Sequence, residues 1–154
     1  MALIDSRTLF AEAFDLSEEA GTYLFTNQID LGAANIDVGD GQPVYLNILV
    51  TETFTDGGDS ATLNLRLRSD DTATTHATTS TAHFETGTML KALLVAGETM
   101  SFTLPAGSFR DYERYLGLQG VVATAGFDAG KITAWLSRDP HKRAGISTFP
   151  DATN

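Results

Sequence analysis

The 154-residue chain has no cysteine, four prolines, one tryptophan and half as many basic as acidic side chains, 10 against 20. Without thiols there is no disulfide framework, thiolate nucleophile or cysteine-ligated zinc or iron–sulfur site. No apolar run approaches the ~20 residues of a membrane-spanning helix. The opening stretch, MALIDSRTLFAEAF, lacks the basic-then-apolar order of a secretion signal. A net charge of −10 repels phosphate, so nucleic acid is not an expected partner, and neither is a membrane.

That charge is unevenly spread. Residues 1–104 hold 15 acidic and 4 basic side chains, whereas residues 105–154 hold 5 and 6. The densest basic stretch, Arg138-Asp139-Pro140-His141-Lys142-Arg143, lies near the C-terminus. It reads either as a solvated tail or as an anchor for an acidic surface.

What fills the middle is alternation. Val44, Leu46, Ile48 and Val50 share one side of 43–51; Leu63, Leu65 and Leu67 share one side of 61–68. Met100, Phe102 and Leu104 do the same in 99–104, and Ile132, Ala134 and Leu136 in 132–137. A period of two marks strands with one buried face. Weaker strand candidates are 22–30, 78–84 and 114–124. Gly-Asp turns and abundant threonine separate and fill these runs. The pattern predicts an all-β fold, an antiparallel jelly roll or β-sandwich of about eight strands. Residues 21–138 form the domain, with an N-terminal arm over 1–20 and a C-terminal tail over 139–154.

Two stretches depart from alternation. Met89, Leu90, Leu93 and Leu94 stand at helical spacing between Gly87 and Gly97, predicting a helical turn or two, with a strand as the alternative. Residues 1–20 place Leu3, Ile4, Leu9, Phe10, Phe14 and Leu16 ahead of the first clear strand. They read as a short amphipathic helix or an extended arm on another surface.

Motifs for catalysis are lacking. His76 and His83, seven residues apart, have no third ligand at metal-binding spacing and read as solvent-exposed loop histidines. His141 lies in the basic tail. The acidic turns Asp37–Asp40 and Asp56–Asp59 offer oxygen ligands but not the spacing of a calcium loop, so they read first as hairpin turns. Asp70-Asp71 reads as a solvated strand end. No catalytic residue, cofactor or metal ligand is expected, and no enzyme. Trp135 alternates onto the face opposite Ile132, Ala134 and Leu136, which makes it either an interface aromatic or a ring covered by its own chain.

Several segments, taken in order, carry a resemblance. They are Leu3-Ile4-Asp5; Ile29-Asp30-Leu31-Gly32; Asp37-Val38-Gly39-Asp40-Gly41-Gln42-Pro43-Val44-Tyr45-Leu46; and Leu93-Leu94-Val95-Ala96-Gly97 leading to Leu104-Pro105. Arg114-Tyr115-Leu116 follows, then Phe127-Asp128-Ala129-Gly130-Lys131-Ile132-Thr133-Ala134-Trp135-Leu136, and Asp139. Together they resemble the capsid cement (decoration) proteins of tailed phages, of the type found in a Bordetella phage. The resemblance implies a jelly-roll subunit made in the host cytoplasm and placed on the outer surface of the virion. Its partners would be a major capsid protein of the HK97-type fold and further copies of itself, as a dimer or trimer at a local symmetry axis. It would bridge neighbouring capsomers and catalyse nothing. By position and chemistry, the expected capsid or oligomer contacts are Leu3, Ile4, Phe10, Phe14, Trp135, Arg138, Arg143 and Phe149. The alternative is a carbohydrate- or receptor-binding β-sandwich of a virion. Such a module stacks sugar rings on clustered aromatics, and this chain has one Trp and four Tyr.

Overall fold

The computed structural model describes residues 6–33, 38, 39, 41–75, 78–106 and 110–141. Among them ten strands occur: β1 (Leu9–Asp15), β2 (Gly21–Leu24), β3 (Ile29–Asp30), β4 (Tyr45–Thr55) and β5 (Thr62–Asp70), then β6 (Thr81–Glu85), β7 (Met89–Leu90), β8 (Thr99–Thr103), β9 (Tyr115–Ala123) and β10 (Ala129–Ser137). β3 and β7 are two-residue strands; the other eight have four residues or more. A 3-10 turn over Lys91–Leu93 is the one helical element among the described residues. No helix there is long and apolar enough to cross a membrane.

The strands form two antiparallel sheets. Sheet A has the order β1-β10-β4-β8. Sheet B has the order β2-β9-β5-β6, with β3 added to β9 and β7 to β5. The core lies between them. Sheet A contributes Leu46, Ile48 and Val50 from β4 and Ile132, Ala134 and Leu136 from β10. Sheet B contributes Leu63, Leu65 and Leu67 from β5 and Leu116, Leu118 and Val122 from β9. These are the apolar positions of the alternating runs, and each large one adds roughly 1.5–3 kcal/mol by leaving water. Gly130 in β10 leaves room for the Phe54 ring of the neighbouring strand β4. At φ +149° it lies so near Phe54 that an added Cβ would stand 2.4 Å from the ring. Phe54 in turn meets Phe127 edge to face at 4.9 Å.

The N-terminal arm needs correction. Over Leu9–Asp15 it is β1, an edge strand paired with β10, and neither a helix nor an arm. Phe10 is fully buried in the core, Leu16 follows it there, and Phe14 stacks on Phe25 with ring centroids 4.4 Å apart. Two register shifts and a left-handed Ala13 (φ 48°) break the alternation of β1. Bulges of this kind put two residues opposite one and erase the period of two. The expected helix around 89–94 also shrinks. Met89 pairs with Leu63 in β7 and only Lys91–Leu93 turn, with Met89 and Leu94 buried while Leu90 and Leu93 face solvent.

Candidate functional site

Antiparallel pairing gathers the strand ends into two opposite poles. Tyr45 pairs with Ser137 at one end of the β4–β10 ladder, and Thr55 with Ala129 at the other. β1 begins and β10 ends at the first pole. Leu136 N–H donates to Thr8 O at 2.9 Å, so the last residues of β10 lie against the residues that lead into β1. Asn27 clamps the same region, its backbone N–H donating to Phe10 O at 2.8 Å and its side-chain amide to Leu9 O at 3.3 Å.

A buried asparagine fixes the exit path of the C-terminal segment. Asn47 lies on the outward side of β4, yet it is fully buried. Its Nδ2 donates to Ser137 Oγ at 2.8 Å and reaches Asp139 O at 3.5 Å. Its Oδ1 accepts from Ser101 Oγ at 2.5 Å and from His141 N–H at 2.8 Å. Ser101 Oγ also lies 3.0 Å from His141 O. Residues 139–141 therefore cross the outer face of sheet A from β10 toward β8. A buried amide is stable only when its hydrogen-bonding groups find partners, and this one binds the crossing segment with them.

Trp135 lies beneath that crossing. It is on the outward face, as its alternation predicts, but only 3% of it is exposed. His141 meets its ring edge-on at 5.3 Å, Leu9 pairs with it from β1, and Asn47 pairs with it from β4. Trp135 is thus the ring covered by its own chain, and the expectation of a free contact aromatic does not hold for the chain alone. Phe10 likewise lies inside, and Phe14 is half-buried against the core. Arg138 is exposed, as expected, at the rim of a shallow groove of about 370 Å³ at the terminal pole. Ile29, Leu31, Val38, Val44 and Leu136 form the apolar part of its wall. Leu3, Ile4, Arg143 and Phe149 lie outside the described residues, as do Asp37, Asp40 and His76.

The opposite pole is acidic. Exposed Asp15, Glu18, Glu19, Asp59 and Asp128 gather there with the buried Asp56. Asp56 behaves as a turn cap and not as a cation ligand. Its Oδ2 accepts Ser60 N–H at 2.7 Å and Ala61 N–H at 2.8 Å, while Oδ1 stands 2.9 Å from Lys91 Nζ. Lys91 also pairs with Asp59. The Ala61 amide first, and then Lys91, hold the Asp56 carboxyl below the usual carboxylate range. Among the described residues no cluster of three or more His, Cys, Asp or Glu could hold a metal ion. Beside this turn Leu90, Leu93 and Val95 are 56%, 60% and 43% exposed, an apolar tip that the assumed helical face concealed.

His83 also differs from expectation. It lies in β6, half-buried, with its ring stacked on Tyr112 at 3.9 Å and Nε2 2.7 Å from Ser69 Oγ. Burial, and then the Arg110 charge, push its pKa down to about 4. Burial pushes Tyr112 up to about 12, and its hydroxyl donates to Pro105 O at 2.8 Å. Glu113 approaches Ser69 Oγ at 3.3 Å, so the acid contacts the hydroxyl and does not orient the imidazole. That order differs from a hydroxyl–imidazole–acid relay. Ser69 is fully buried as well. Asp70, expected as a solvated strand end, instead closes the following loop, with Oδ1 accepting Thr72 N–H at 3.0 Å and Oδ2 accepting Ser80 Oγ at 2.9 Å.

The structure thus offers a pole where β1 begins beside the end of β10, with an apolar groove, facing away from an acidic pole with an apolar tip. No curated protein sequence matches the chain. The family model Bbp16 matches residues 19–136, over three quarters of the sequence and nearly the whole sandwich. The chain belongs to the Bbp16 family, a family of Bordetella phage proteins.

Proposed function

We propose that this protein is a virion component, a cement protein on the outer surface of a phage head. It would bind a major capsid protein of the HK97-type fold, bridge neighbouring capsomers as a homo-oligomer, and catalyse no reaction. The nested strand orders β1-β10-β4-β8 and β2-β9-β5-β6 support reading the sandwich as a jelly roll. The observation that carries the proposal is that the chain enters β1 and leaves β10 side by side, fixed by the Leu136–Thr8 hydrogen bond. A closed sandwich offers little to grip with, whereas two segments leaving one pole can engage a shell together. Leu3 and Ile4 would supply apolar anchors from one segment, and Arg143 and Phe149 a cation and an aromatic from the other, with Arg138 at their base. Many copies on one shell multiply weak contacts. The acidic pole, with its surplus of carboxylates, then points away from the shell.

Binding to purified heads lacking the protein tests this. Removing residues 1–5 or 142–154 should each weaken binding at least tenfold, and heads carrying either truncated protein should release DNA at lower temperature. Unchanged binding by both truncated proteins, or equal thermal release with and without the full chain, contradicts the proposal.

A further inference from the structure

We infer that β8 is the edge through which two copies of this chain pair, strand to strand, about a two-fold axis at Ser101. Sheets end in rows of unpaired backbone groups, and proteins that avoid pairing blunt such edges with charge, bulges or brevity. The other edges here are blunted. β1 carries Glu12 and Asp15 and two register shifts. β6 ends in Glu85 and pairs with β5 through a shift. β2 has four residues, and β3 beside it has two and ends in Asp30. β8 reads Thr-Met-Ser-Phe-Thr, without charge or proline, and runs in unbroken register along β4. In a chain of net charge −10, a self-contact is favoured where like charges are absent.

The backbone fixes the register. Val50 N–H donates to Glu98 O, and Leu104 N–H donates to Val44 O. By alternation, residues 98, 100, 102 and 104 face β4, while Thr99, Ser101 and Thr103 turn their N–H and C=O groups outward. No described residue bonds those outward groups. An antiparallel pair centred on Ser101 sets Thr99 opposite Thr103 of the partner subunit, and Ser101 opposite itself. All three outward residues then become hydrogen-bonded positions, with about six N–H···O bonds across the axis. Met100 and Phe102, both half-buried, would be covered along their open side. The two Glu98 carboxylates would stand ~20 Å apart, six strand positions from each other. Residues 139–141 lie over the face of β8, bonded to the Ser101 side chain, and leave its backbone edge open. The product is a continuous sheet with the order β1-β10-β4-β8-β8-β4-β10-β1.

This deepens only the oligomer part of the proposed function and selects a two-fold dimer. It is therefore tested in solution without heads: a dimer that fails to bind heads would defeat the capsid reading and leave this one standing. Sedimentation equilibrium of the full chain should give twice the 16.5 kDa chain mass at micromolar concentration. Thr103→Pro removes an outward N–H from each copy and spares the β4 ladder, so it should raise the dissociation constant at least ~10-fold. Thr103→Lys, which keeps the N–H but places a charge on the edge, should also weaken the dimer. If the proline variant does not fold, the lysine variant decides. Hydrogen exchange at Thr99, Ser101 and Thr103 should slow as dimer forms. A wild-type monomer at every concentration, or dimers unweakened by a folded variant, overturns the inference. So does protection of those three amides in dilute monomer, since the chain's own tail would then occupy the edge.

Discussion

Trp135 shows how far a single side chain can be read from its neighbours in sequence. Alternation places it on the outer face of sheet A, which is where it lies. Its cover, however, comes from Leu9, 126 positions earlier, and from His141, delivered by hydrogen bonds to Asn47. Nothing local signals that cover, and nothing about Asn47, between Leu46 and Ile48, signals its burial. Trp135→Ala should therefore cost about 3–5 kcal/mol of stability, a fall in Tm of about 10 °C. An unchanged Tm with weakened oligomerisation or head binding would restore it as a contact residue. Gly117 gives a second residue-scale test. An added Cβ would lie 2.1 Å from Thr75 Oγ1, because the Thr-rich loop folds back and seats Thr75 on the outer face of β9. Gly117→Ala should cost ~1–3 kcal/mol in urea unfolding, and adding Thr75→Ala should recover much of it. Additive losses would mean that the two do not meet. His83 sets a pH dependence. Its pKa is about 4 folded against 6.5 unfolded, so the unfolded chain binds more protons between these values. Stability should be fully present above pH 6.5 and decline as pH falls toward 4. His83→Gln should flatten that slope; a slope unchanged in the variant would assign it elsewhere. The carboxylates of Asp15, Asp30 and Asp56, all held low, are lost only at more acidic pH.

At the scale of elements, the four clearest alternating runs became β4, β5, β8 and β10, and the weaker ones became β2 with β3, β6 and β9. These strands bury one face and keep a regular register, which is the condition under which a period of two survives in sequence. β1 fails that condition. Its bulges bury Ala11 beside Phe10 and leave Glu12 exposed between Phe10 and Phe14, so its apolar residues read as an arm. The 89–94 stretch fails differently: its apolar spacing imitates a helix, while Gly87 and Gly97, both at positive φ, confine it to a short strand and one turn. The site was less legible than the fold, because it depends on which elements emerge together at one pole. The adjacency of the β1 start and the β10 end rests on a bond between Thr8 and Leu136. Removing residues 1–5 should leave circular dichroism and Tm essentially unchanged, whereas removing 1–10 deletes Phe10 and the first pairs of β1. That longer deletion should destabilise the domain by about 3–5 kcal/mol or more. Equal stability of the two would return residues 6–10 to an arm.

For the whole molecule, the uneven charge of the sequence acquires a geometry. Carboxylates collect at the pole of Asp56, Asp59 and Asp128, while β1 begins and β10 ends at the opposite pole beside Arg138. The proposal that this protein cements a phage head is at bottom a statement about which pole meets a shell. A cryo-EM map of the intact head tests it most directly. The expected result is this sandwich on the outer surface of the shell, with the pole of Thr8 and Leu136 against the capsid protein and Leu93 pointing to solvent. Density for the sandwich only on the tail, or on the shell with the acidic pole inward, would contradict it.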